Sequence, residues 1–400
     1  MIVSVLGGSS QSTPVLVNWL AEQKSPGRYR IRLAGRHPDR LGAVERACKI
    51  VAPRINTTGY GPAKWAECLD GSDLVLIQVR IGDYQGRQRD EQLALDYGIP
   101  GDEGLGPAGL AAAVRTWPEL KLLLQLIRRN APNALPLLLT SPGSLLVRLA
   151  SLEWINWPLY GICELPYTTL KTVCADAKLS PEDVTFSYTG VNHIGFLHSV
   201  KCRDTDVIEQ YAKNPNIPFS SIVRDWHAVP LKYLRLHFER SAVVREQLAS
   251  GFGVSRAYVL ITMQSEAMKR FQAGDAEAIR EILMLRNANW YAEAVGPFIA
   301  AMAGDDVERP FFLSSAEEDG EVQERAFRIR RGILSPLPYL EPPATVSELT
   351  GKFIAYERAA ASAIKASNCE AMADALRLHP WLERADDADK IARDILRVWT

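Results

Sequence analysis

A cysteine and a histidine, each at the end of a short β-like run, have the chemistry to share a divalent metal. Cys163 lies in residues 161–164, and His193 closes residues 188–193. Thiolate and imidazole both bind divalent metals, and a closed structural zinc site takes four protein ligands. A metal held by two protein ligands would keep open positions for substrate oxygens. Buried cysteines and lone histidines are also common in hydrophobic cores, so a structural role stays open at this point.

The composition is that of a soluble globular protein with a large core. The 400 residues are 47% hydrophobic and 23% charged, with a formal net charge of −1. Such a chain has no overall field that attracts nucleic acid or an anionic membrane, so we expect a small-molecule partner. The cysteines are scattered without a C-x-x-C pair, which favours reduced thiols and a cytoplasmic protein. No apolar run is long enough to span a bilayer, and we expect no targeting segment.

A turn of small residues near the N-terminus is a candidate nucleotide-binding loop. It connects an apolar strand at residues 1–6 to an amphipathic helix at residues 15–20. Its four small residues are Gly7, Gly8, Ser9 and Ser10. Small side chains let backbone N–H groups and the positive helix N-terminus approach a pyrophosphate. The turn departs from G-x-G-x-x-G, and an ordinary strand-to-helix turn has a similar composition.

The second strand, residues 29–34, ends at Gly35 and Arg36. A dinucleotide-binding fold places an acid at about this point to bind the ribose hydroxyls, and that acid is missing here. An arginine suits a 2′-phosphate, which favours NADP as the cofactor. Arg36 could equally be a solvated loop residue or stack on the adenine.

Further strands complete an α/β domain. Residues 73–79 and 135–140 are nearly continuous apolar runs, as expected in a parallel sheet that is covered on both faces, and a helix at residues 117–130 lies between them. Strands alternating with helices predict a Rossmann-type doubly wound parallel sheet over residues 1–155, followed by a mixed α+β domain over residues 156–400.

Polar residues that follow these strands are candidate ligand contacts, because ligands bind beyond the carboxyl ends of parallel strands. The candidates are Arg80, Arg87, Asp90, Glu91, Ser141 and Pro142. Charged faces of surface helices are the alternative for several of them. Residues 97–109 form a glycine-rich loop with two adjacent acids, Asp102 and Glu103, that could fold over a polar ligand or simply be solvated.

The second half of the chain is mixed in pattern. Residues 231–252 predict one helix that carries Tyr233, and residues 256–303 are helical in pattern and include Arg286. Residues 305–350 are rich in proline, with short strand candidates. The predicted strands are 309–314 and 327–334, and the predicted closing helices are 346–366, 369–378 and 385–398.

Taken in order, these motifs resemble glycoside hydrolase family 4, the NAD- and metal-dependent glycosidases, whose fold is of lactate and malate dehydrogenase type. The similarity runs from residue 2 to about residue 395. The matching pieces are Leu6-Gly7-Gly8-Ser9-Ser10-x-x-Thr13-Pro14, Gln78-Val79-Arg80-Ile81-Gly82, Gly161-x-Cys163-x-x-Pro166, Gly190-x-Asn192-His193, Pro230-x-x-Tyr233-Leu234 and His379-Pro380.

The resemblance implies a role for each candidate residue. The metal ligands would be Cys163 and His193, with manganese as the expected ion. Tyr233 would be the catalytic base, and Asp102 or Glu103 the acid. NAD would be bound by Gly7, Gly8, Ser9, Ser10, Arg36, Gln78 and Arg80. The substrate, a glycoside or sugar phosphate, would contact Arg87, Ser141, Asn192 and Arg286. A homodimer or homotetramer is expected on the same ground.

The implied reaction oxidises the sugar at C3, removes the C2 proton, eliminates the leaving group, adds water and returns the hydride. Most glycosidases instead cleave glycosides with a pair of carboxylic acid side chains. The chain departs from the family at Ser141, where the family has asparagine, and at Gly35-Arg36. A sugar or polyol dehydrogenase without hydrolysis and a non-catalytic nucleotide sensor remain alternatives, and the anomer and the need for a 6-phosphate stay open.

Overall fold

The computed structural model describes residues 1–250, 256–285, 288–384 and 386–399. The chain forms two compact units, and each is assembled from separate stretches of sequence. Unit 1 contains Met1–Gln88, Thr116–Thr140 and Phe252–Asp306. Unit 2 contains Arg89–Arg115, Ser141–Gly251 and Val307–Thr400. The predicted division into domains at residues 155 and 156 stays a prediction.

The strands follow one another along the described chain with these bounds: β1 (Ile2–Leu6), β2 (Arg30–Ala34), β3 (Asn56–Tyr60), β4 (Leu74–Ile77), β5 (Leu135–Leu138), β6 (Tyr160–Cys163), β7 (Thr185–Val191), β8 (Ile194–Cys202), β9 (Thr205–Asp206), β10 (Ala228–Pro230), β11 (Phe311–Ala316), β12 (Val322–Arg330) and β13 (Ile333–Pro336).

The α-helices have these bounds: α1 (Thr13–Ala21), α2 (Pro38–Val51), α3 (Trp65–Leu69), α4 (Asp83–Asp96), α5 (Gly106–Asn130), α6 (Gly143–Glu153), α7 (Leu165–Asp176), α8 (Val207–Tyr211), α9 (Ser220–Trp226), α10 (Arg235–Phe238), α11 (Arg240–Ser250), α12 (Arg256–Ala273), α13 (Ala276–Leu285), α14 (Gly296–Met302), α15 (Ala344–Ala366), α16 (Cys369–Leu378) and α17 (Asp387–Trp399). A π-helical turn, Tyr291–Val295, precedes α14.

Unit 1 is built on a parallel sheet with the strand order β5-β4-β1-β2-β3. All four residues of β4 are buried, which explains its continuous apolar sequence. The predicted Rossmann-type fold class is confirmed. Strand β3 was not predicted, because its sequence Asn-Thr-Thr-Gly-Tyr is polar and its burial is only partial.

Unit 2 combines two antiparallel arrangements of strands. Strand β12 pairs with both β13 and β11, and β11 also pairs with β6. A second sheet has the order β10-β8-β7, with β9 paired to β8. Apolar side chains from α7, β7, β8 and α8 pack together in the core of the unit, among them Leu170, Val173, Leu197 and Val207. The carboxyl end of β6 and the turn between β7 and β8 carry the two candidate metal ligands.

The predicted single helix at residues 231–252 is wrong over residues 231–250, and residues 251 and 252 lie outside the described residues. The chain instead forms β10, a 3₁₀ turn at Lys232–Leu234, and then α10 and α11. Leu231 is extended, with φ −65° and ψ 151°, and its N–H donates to the carbonyl of Gly195. Pairing with β8 therefore continues past the strand and prevents a helix at this point. Residue Tyr233 lies on the 3₁₀ turn rather than inside a helix.

Other boundaries also differ from the prediction, and two of these differences change the kind of element. Helix α5 begins at Gly106 and not at residue 117, so the end of the predicted glycine-rich loop is helical. Gly106 has φ +61° and Pro107 follows it, an arrangement suited to the first turn of a helix. The predicted strand at 327–334 is a hairpin, because Arg331 and Gly332 take positive φ and turn the chain between β12 and β13.

None of the helices in the described ranges is both long enough and apolar enough to cross a membrane.

Candidate functional site

The turn after β1 is shaped by close contacts that exclude side chains. Gly7 has φ +82°, and a Cβ atom there would lie 2.7 Å from the carbonyl oxygen of Gln78. A Cβ atom on Gly8 would lie 2.8 Å from the Cα of Leu33. The two glycines therefore let β1 pass close to β4 and β2 before the chain enters α1. The turn ends at the N-terminus of a helix, at the carboxyl end of a parallel strand, which is where such folds bind pyrophosphate.

Gln78 holds this turn in place through both ends of its side-chain amide. Its Nε2 donates to the carbonyl of Gly7 at 3.2 Å and to the hydroxyl of Thr13 at 2.9 Å. Its Oε1 accepts from the hydroxyl of Tyr291 at 2.6 Å. The structure thus shows Gln78 as a support for the turn, and its predicted contact with the cofactor stays a prediction.

The remaining candidate cofactor contacts of unit 1 follow β1, β2 and β4 at their carboxyl ends. A Cβ atom on Gly35 would lie 3.2 Å from the hydroxyl of Ser9, so the end of β2 reaches the turn. Arg36, the next residue, is exposed. The guanidinium of Arg80 lies 4.7 Å from the ring centroid of Tyr84. Ser10 closes the turn, with its N–H donating to the carbonyl of Gly7 at 3.1 Å.

Replacing Gly7 by alanine is expected to destabilise unit 1 by about 1–3 kcal/mol, because a positive φ and a contact with backbone atoms both oppose a side chain there. The affinity for NAD should fall with it, since the turn must move. Thermal unfolding and nucleotide titration measure the two effects. Gly42→Ala is the control, since a Cβ atom there meets nothing within 4 Å. Equal affinity for NAD in both variants would contradict the role of the turn.

Cys163 is placed at the last residue of β6, directly before α7. Its thiol is buried, with 4% of the residue exposed. Burial raises the pKa of the Cys163 thiol, and the carboxyl groups of Glu324 and Glu164 raise it further. Two hydrogen bonds oppose this by favouring the thiolate, one from the backbone of Leu165 at the start of α7 and one from the side chain of Asn192.

His193 and Asn192 form the two-residue turn of the β7–β8 hairpin. His193 has φ 71°, a conformation in which glycine or asparagine is the usual choice. Its Nδ1 atom is buried and has no hydrogen-bond partner among the residues that the structure describes. A non-glycine residue in a strained conformation, with an unsatisfied ring nitrogen, is typical of a functional side chain.

Tyr233 is brought to this histidine by the 3₁₀ turn after β10. The two rings are stacked, with centroids 4.4 Å apart and an interplanar angle of 24°. Lys232 Nζ lies 5.8 Å from the centroid of the same tyrosine ring. The structure therefore brings the predicted base and one predicted metal ligand into contact, although they are 40 positions apart in the sequence.

The predicted acid lies on a loop that packs against the same histidine. A Cβ atom on Gly104 would lie 2.9 Å from Ser141 Oγ, 3.2 Å from His193 Nδ1 and 3.5 Å from Asp102 Oδ1. Asp102 is buried, and its Oδ1 accepts the N–H of Gly104 at 2.9 Å. Glu103 is half-buried. The absence of a side chain at Gly104 leaves room between the serine, the histidine and the acid.

Replacing Gly104 by alanine is expected to lower activity about tenfold or more while changing the unfolding temperature little, because the methyl group would occupy the space beside His193 and displace side chains rather than backbone. Steady-state kinetics and thermal unfolding check this. Gly61→Ala serves as the control, because nothing lies within 4 Å of a Cβ atom there. A fully active Gly104→Ala enzyme would show that the space is not used.

One residue of this site was not predicted from the sequence. Glu324 on β12 is completely buried, and its carboxylate accepts hydrogen bonds from the hydroxyl of Tyr188 and from Asn192 Nδ2, the latter at 3.3 Å. Burial raises the pKa of Glu324 to about 7. Its partners lie more than 130 positions away in the sequence, so no local motif marks it. The available signal in the sequence was a charged residue at a strand position whose side chain faces the core.

The donor set suits a divalent transition metal with an open coordination shell. In unit 2, a buried imidazole nitrogen of His193 borders a glycine-lined space, and the thiol of Cys163 bonds Asn192, the residue before this histidine. Among the described residues there is no group of three or more His, Cys, Asp and Glu side chains arranged to hold a metal. Two protein ligands would leave the remaining positions to substrate and water. The residues present therefore fit a working metal rather than a closed structural one.

The substrate candidates divide between described and undescribed parts of the chain. Ser141 lies beside Gly104, and Asn192 lies next to His193 in the hairpin turn. A Cβ atom on Gly143 would lie 3.0 Å from Asn192 Oδ1, so the start of α6 packs against the amide. Arg87 is buried in α4. Arg286 lies outside the described residues.

Known proteins share both sequence and fold with this chain. Residues 1–179 match the model of the family described as family 4 glycosyl hydrolase. A protein of Bacillus subtilis (strain 168) named "Probable 6-phospho-beta-glucosidase" is 24% identical over 431 residues, or 98% of this chain and 94% of that protein. A maltose-6'-phosphate glucosidase of Clostridium acetobutylicum is 28% identical over 209 residues, or 50% of this chain and 47% of that protein.

A solved structure matches over nearly the whole length. The 6-phospho-beta glucosidase from Thermotoga maritima, solved with manganese, NAD+ and glucose-6-phosphate, has a TM-score of 0.86 and 21% sequence identity. The match covers 99% of this chain and 98% of that chain. At this identity the likeness shows the fold. The N-terminal 179 residues of this chain thus resemble family 4 of the glycosyl hydrolases, and the similarity of sequence to the Bacillus subtilis relative and of fold to the Thermotoga maritima structure extends over nearly the whole chain.

Proposed function

We propose that this protein is an NAD- and manganese-dependent 6-phosphoglycosidase that works by oxidation and elimination. The observation that carries the proposal is the stacking of Tyr233 on His193, at 4.4 Å between ring centroids. A phenol beside a metal-binding imidazole suits the removal of a carbon-bound proton, because a nearby cation lowers the pKa of a group that otherwise titrates near 10. Hydrolysis by two carboxylates would not require that pairing.

Different residues of the chain perform the separate steps of the proposed reaction. A bound NAD+ would accept hydride from C3 of the sugar, and a bound cation would stabilise negative charge on the sugar oxygens. Tyr233, as phenolate, takes the proton from C2. Asp102 gives a proton to the glycosidic oxygen as the leaving group departs, with Glu103 as the other candidate acid. Ser141 and Asn192 offer hydrogen bonds to sugar hydroxyls.

The substrate class is supported by the relatives and by the base. Relatives of this chain include both 6-phospho-alpha- and 6-phospho-beta-glucosidases, and the matched Thermotoga maritima structure was solved with glucose-6-phosphate. The resemblance of Tyr233 to the base of the phospho-β-glucosidase branch favours a β-linked substrate. Arg87 is the proposed contact to the sugar phosphate or to a neighbouring hydroxyl. Ser141, in place of the family's asparagine, is expected to alter the choice of sugar.

The cofactor is proposed to be NAD, bound at the turn of Gly7, Gly8, Ser9 and Ser10. The matched structure of Thermotoga maritima holds NAD+. Arg36, exposed at the end of β2, gives a reason to compare NADP. A cytoplasmic homodimer or homotetramer is part of the same proposal, and light scattering after gel filtration measures the assembly.

The test is an assay with aryl 6-phospho-β- and 6-phospho-α-glucosides, in the presence and absence of Mn²⁺ and with NAD+ or NADP+. We expect turnover that needs both Mn²⁺ and nucleotide, with no net accumulation of reduced nucleotide, because the hydride returns to the product. A sugar or polyol dehydrogenase would accumulate one reduced nucleotide for each turnover. Full turnover after removal of metal and nucleotide would overturn the proposal, and nucleotide binding with no substrate chemistry would indicate a sensor.

A further inference from the structure

The buried carboxylate of Glu324 lies in a row of residues that leads to the candidate metal ligand. In the strand registers, Glu324 is opposite Ser314, and Ser314 is opposite Gly161. Residues directly opposite each other in antiparallel strands share a face, and alternate residues of a strand do so as well. Cys163, two residues beyond Gly161, therefore points to the same face as Glu324.

The middle of this row is closely packed around Gly161. Gly161 has no side chain, and a Cβ atom there would lie 3.2 Å from the Cβ of Ser314. The hydroxyl of Ser314 is buried without a hydrogen-bond partner among the described residues. A buried polar group without a partner normally costs free energy, so the unpaired hydroxyl of Ser314 is an unusual feature of this row.

The side-chain amide of Asn192 links the carboxylate of Glu324 to the thiol of Cys163 by hydrogen bonds. Asn192 Nδ2 donates to Glu324 Oε1 at 3.3 Å, and the same side chain bonds the thiol of Cys163. The other carboxylate oxygen accepts from Tyr188, whose hydroxyl would be only 2.0 Å from a Cβ atom on Gly195. The glycine therefore gives the tyrosine its position, and the tyrosine and the amide together hold the carboxylate in one orientation.

Glu324 differs in the charges around it from Glu357, the other buried glutamate among the described residues of the unit. Glu357 bonds the hydroxyl of Ser144 and is influenced by the positive charge of Arg148. Within the described ranges, Glu324 bonds only neutral donors and no Lys, Arg or His side chain forms an ion pair with it. A buried carboxylate without a cation is costly. A divalent cation at Cys163 and His193 would supply the missing positive charge.

We propose that Glu324 is a positioning residue of the metal site: it holds Asn192 against the thiol of Cys163 and adds a negative charge that complements the bound cation. This rests on the proposed function, because it presupposes a cation at Cys163 and His193. In many metal sites, residues outside the coordination shell hold the metal ligands in place. These residues contribute to metal affinity and not only to folding.

The test compares Mn²⁺ binding by the wild type, Glu324→Gln and Glu357→Gln, with free Mn²⁺ followed by electron paramagnetic resonance. Glutamine retains the shape, since its oxygen can accept from Asn192 and its amide can donate to the hydroxyl of Tyr188. We expect Glu324→Gln to bind Mn²⁺ about 10–100-fold more weakly, the usual range for such partners. Glu357→Gln, the matched buried glutamate, should remain within about twofold of wild type, because its hydrogen bond is to Ser144 and not to Asn192.

Affinity for NAD and thermal unfolding are measured on the same samples, because a purely structural defect would change them. Turnover of Glu324→Gln should recover at saturating Mn²⁺, which separates weak metal binding from damaged chemistry. If that variant does not fold, Glu324→Asp replaces it, and its shorter side chain should also bind Mn²⁺ more weakly. Wild-type affinity in Glu324→Gln, or in Glu324→Asp as its replacement, overturns the inference alone. A wild type that binds no Mn²⁺ overturns the proposed metal dependence and the inference with it.

Discussion

Replacing Tyr233 by phenylalanine is expected to lower kcat by about 10²–10⁴-fold, the usual contribution of a general base, and to leave KM nearly unchanged. The phenyl ring can keep the stack on His193, whose centroid lies 4.4 Å away, so the change removes the phenolic oxygen and little else. The diagnostic measurement is exchange of the C2 hydrogen of the substrate with deuterium from solvent. That exchange should disappear together with turnover.

The control for this variant is Tyr211→Phe, a buried tyrosine in α8 of the same unit. It should keep its kcat and lose little stability, because phenylalanine retains the ring that packs in the core. If Tyr233→Phe exchanged the C2 hydrogen at the wild-type rate, another group would have to be the base. A large rise in KM without a change in kcat would instead assign Tyr233 to substrate binding.

Cys163→Ser is expected to weaken Mn²⁺ binding by more than about 100-fold, beyond the range observed for residues that only support a ligand. Serine is nearly isosteric, but its hydroxyl stays protonated at neutral pH and cannot take the place of a thiolate. Mn²⁺-dependent turnover should fall to the background, while NAD binding at the turn of unit 1 should be retained. Equilibrium dialysis with metal analysis measures the first effect and nucleotide titration the second.

Cys174→Ser provides the matched comparison, because Cys174 is also a buried free cysteine in unit 2 and lies on α7. Burial raises the pKa of the Cys174 thiol to about 11, and no metal role is proposed for it. We expect wild-type Mn²⁺ affinity and a modest loss of stability from the buried hydroxyl. Equal metal affinity in the two serine variants would remove Cys163 from the ligand set.

The order of motifs along the chain was sufficient to predict the family and the fold class. Apolar strands such as β1 and β4 are recognisable from their own residues, without reference to distant ones. Gly7 and Gly8 mark a turn in which side chains do not fit. The two ligand candidates could also be found, because Cys163 and His193 each terminate a recognisable strand. The residue types alone indicate this role, because thiol and imidazole groups are common metal ligands.

Elements whose conformation depends on distant partners were predicted poorly. Residues 231–252 have helical periodicity, yet Leu231 is extended because its N–H bonds to Gly195 of β8. The hairpin at Arg331 and Gly332 was missed because the alternating apolar and basic residues before it are typical of one continuous strand, and the two positive φ values are not apparent from that alternation. In both places a nonlocal hydrogen bond or a turn geometry outweighed local propensity.

The arrangement of the site was decided only by the tertiary structure. The sequence by itself determined which residues have suitable chemistry: the thiol of Cys163, the imidazole of His193 and the phenol of Tyr233. Strand pairing then stacked the phenol on the imidazole and buried Glu324 beside Asn192. Neither contact has a local signature, because hydrogen bonds and ring packing depend on distance in space, and residues 40 or 132 positions apart meet only in the folded unit.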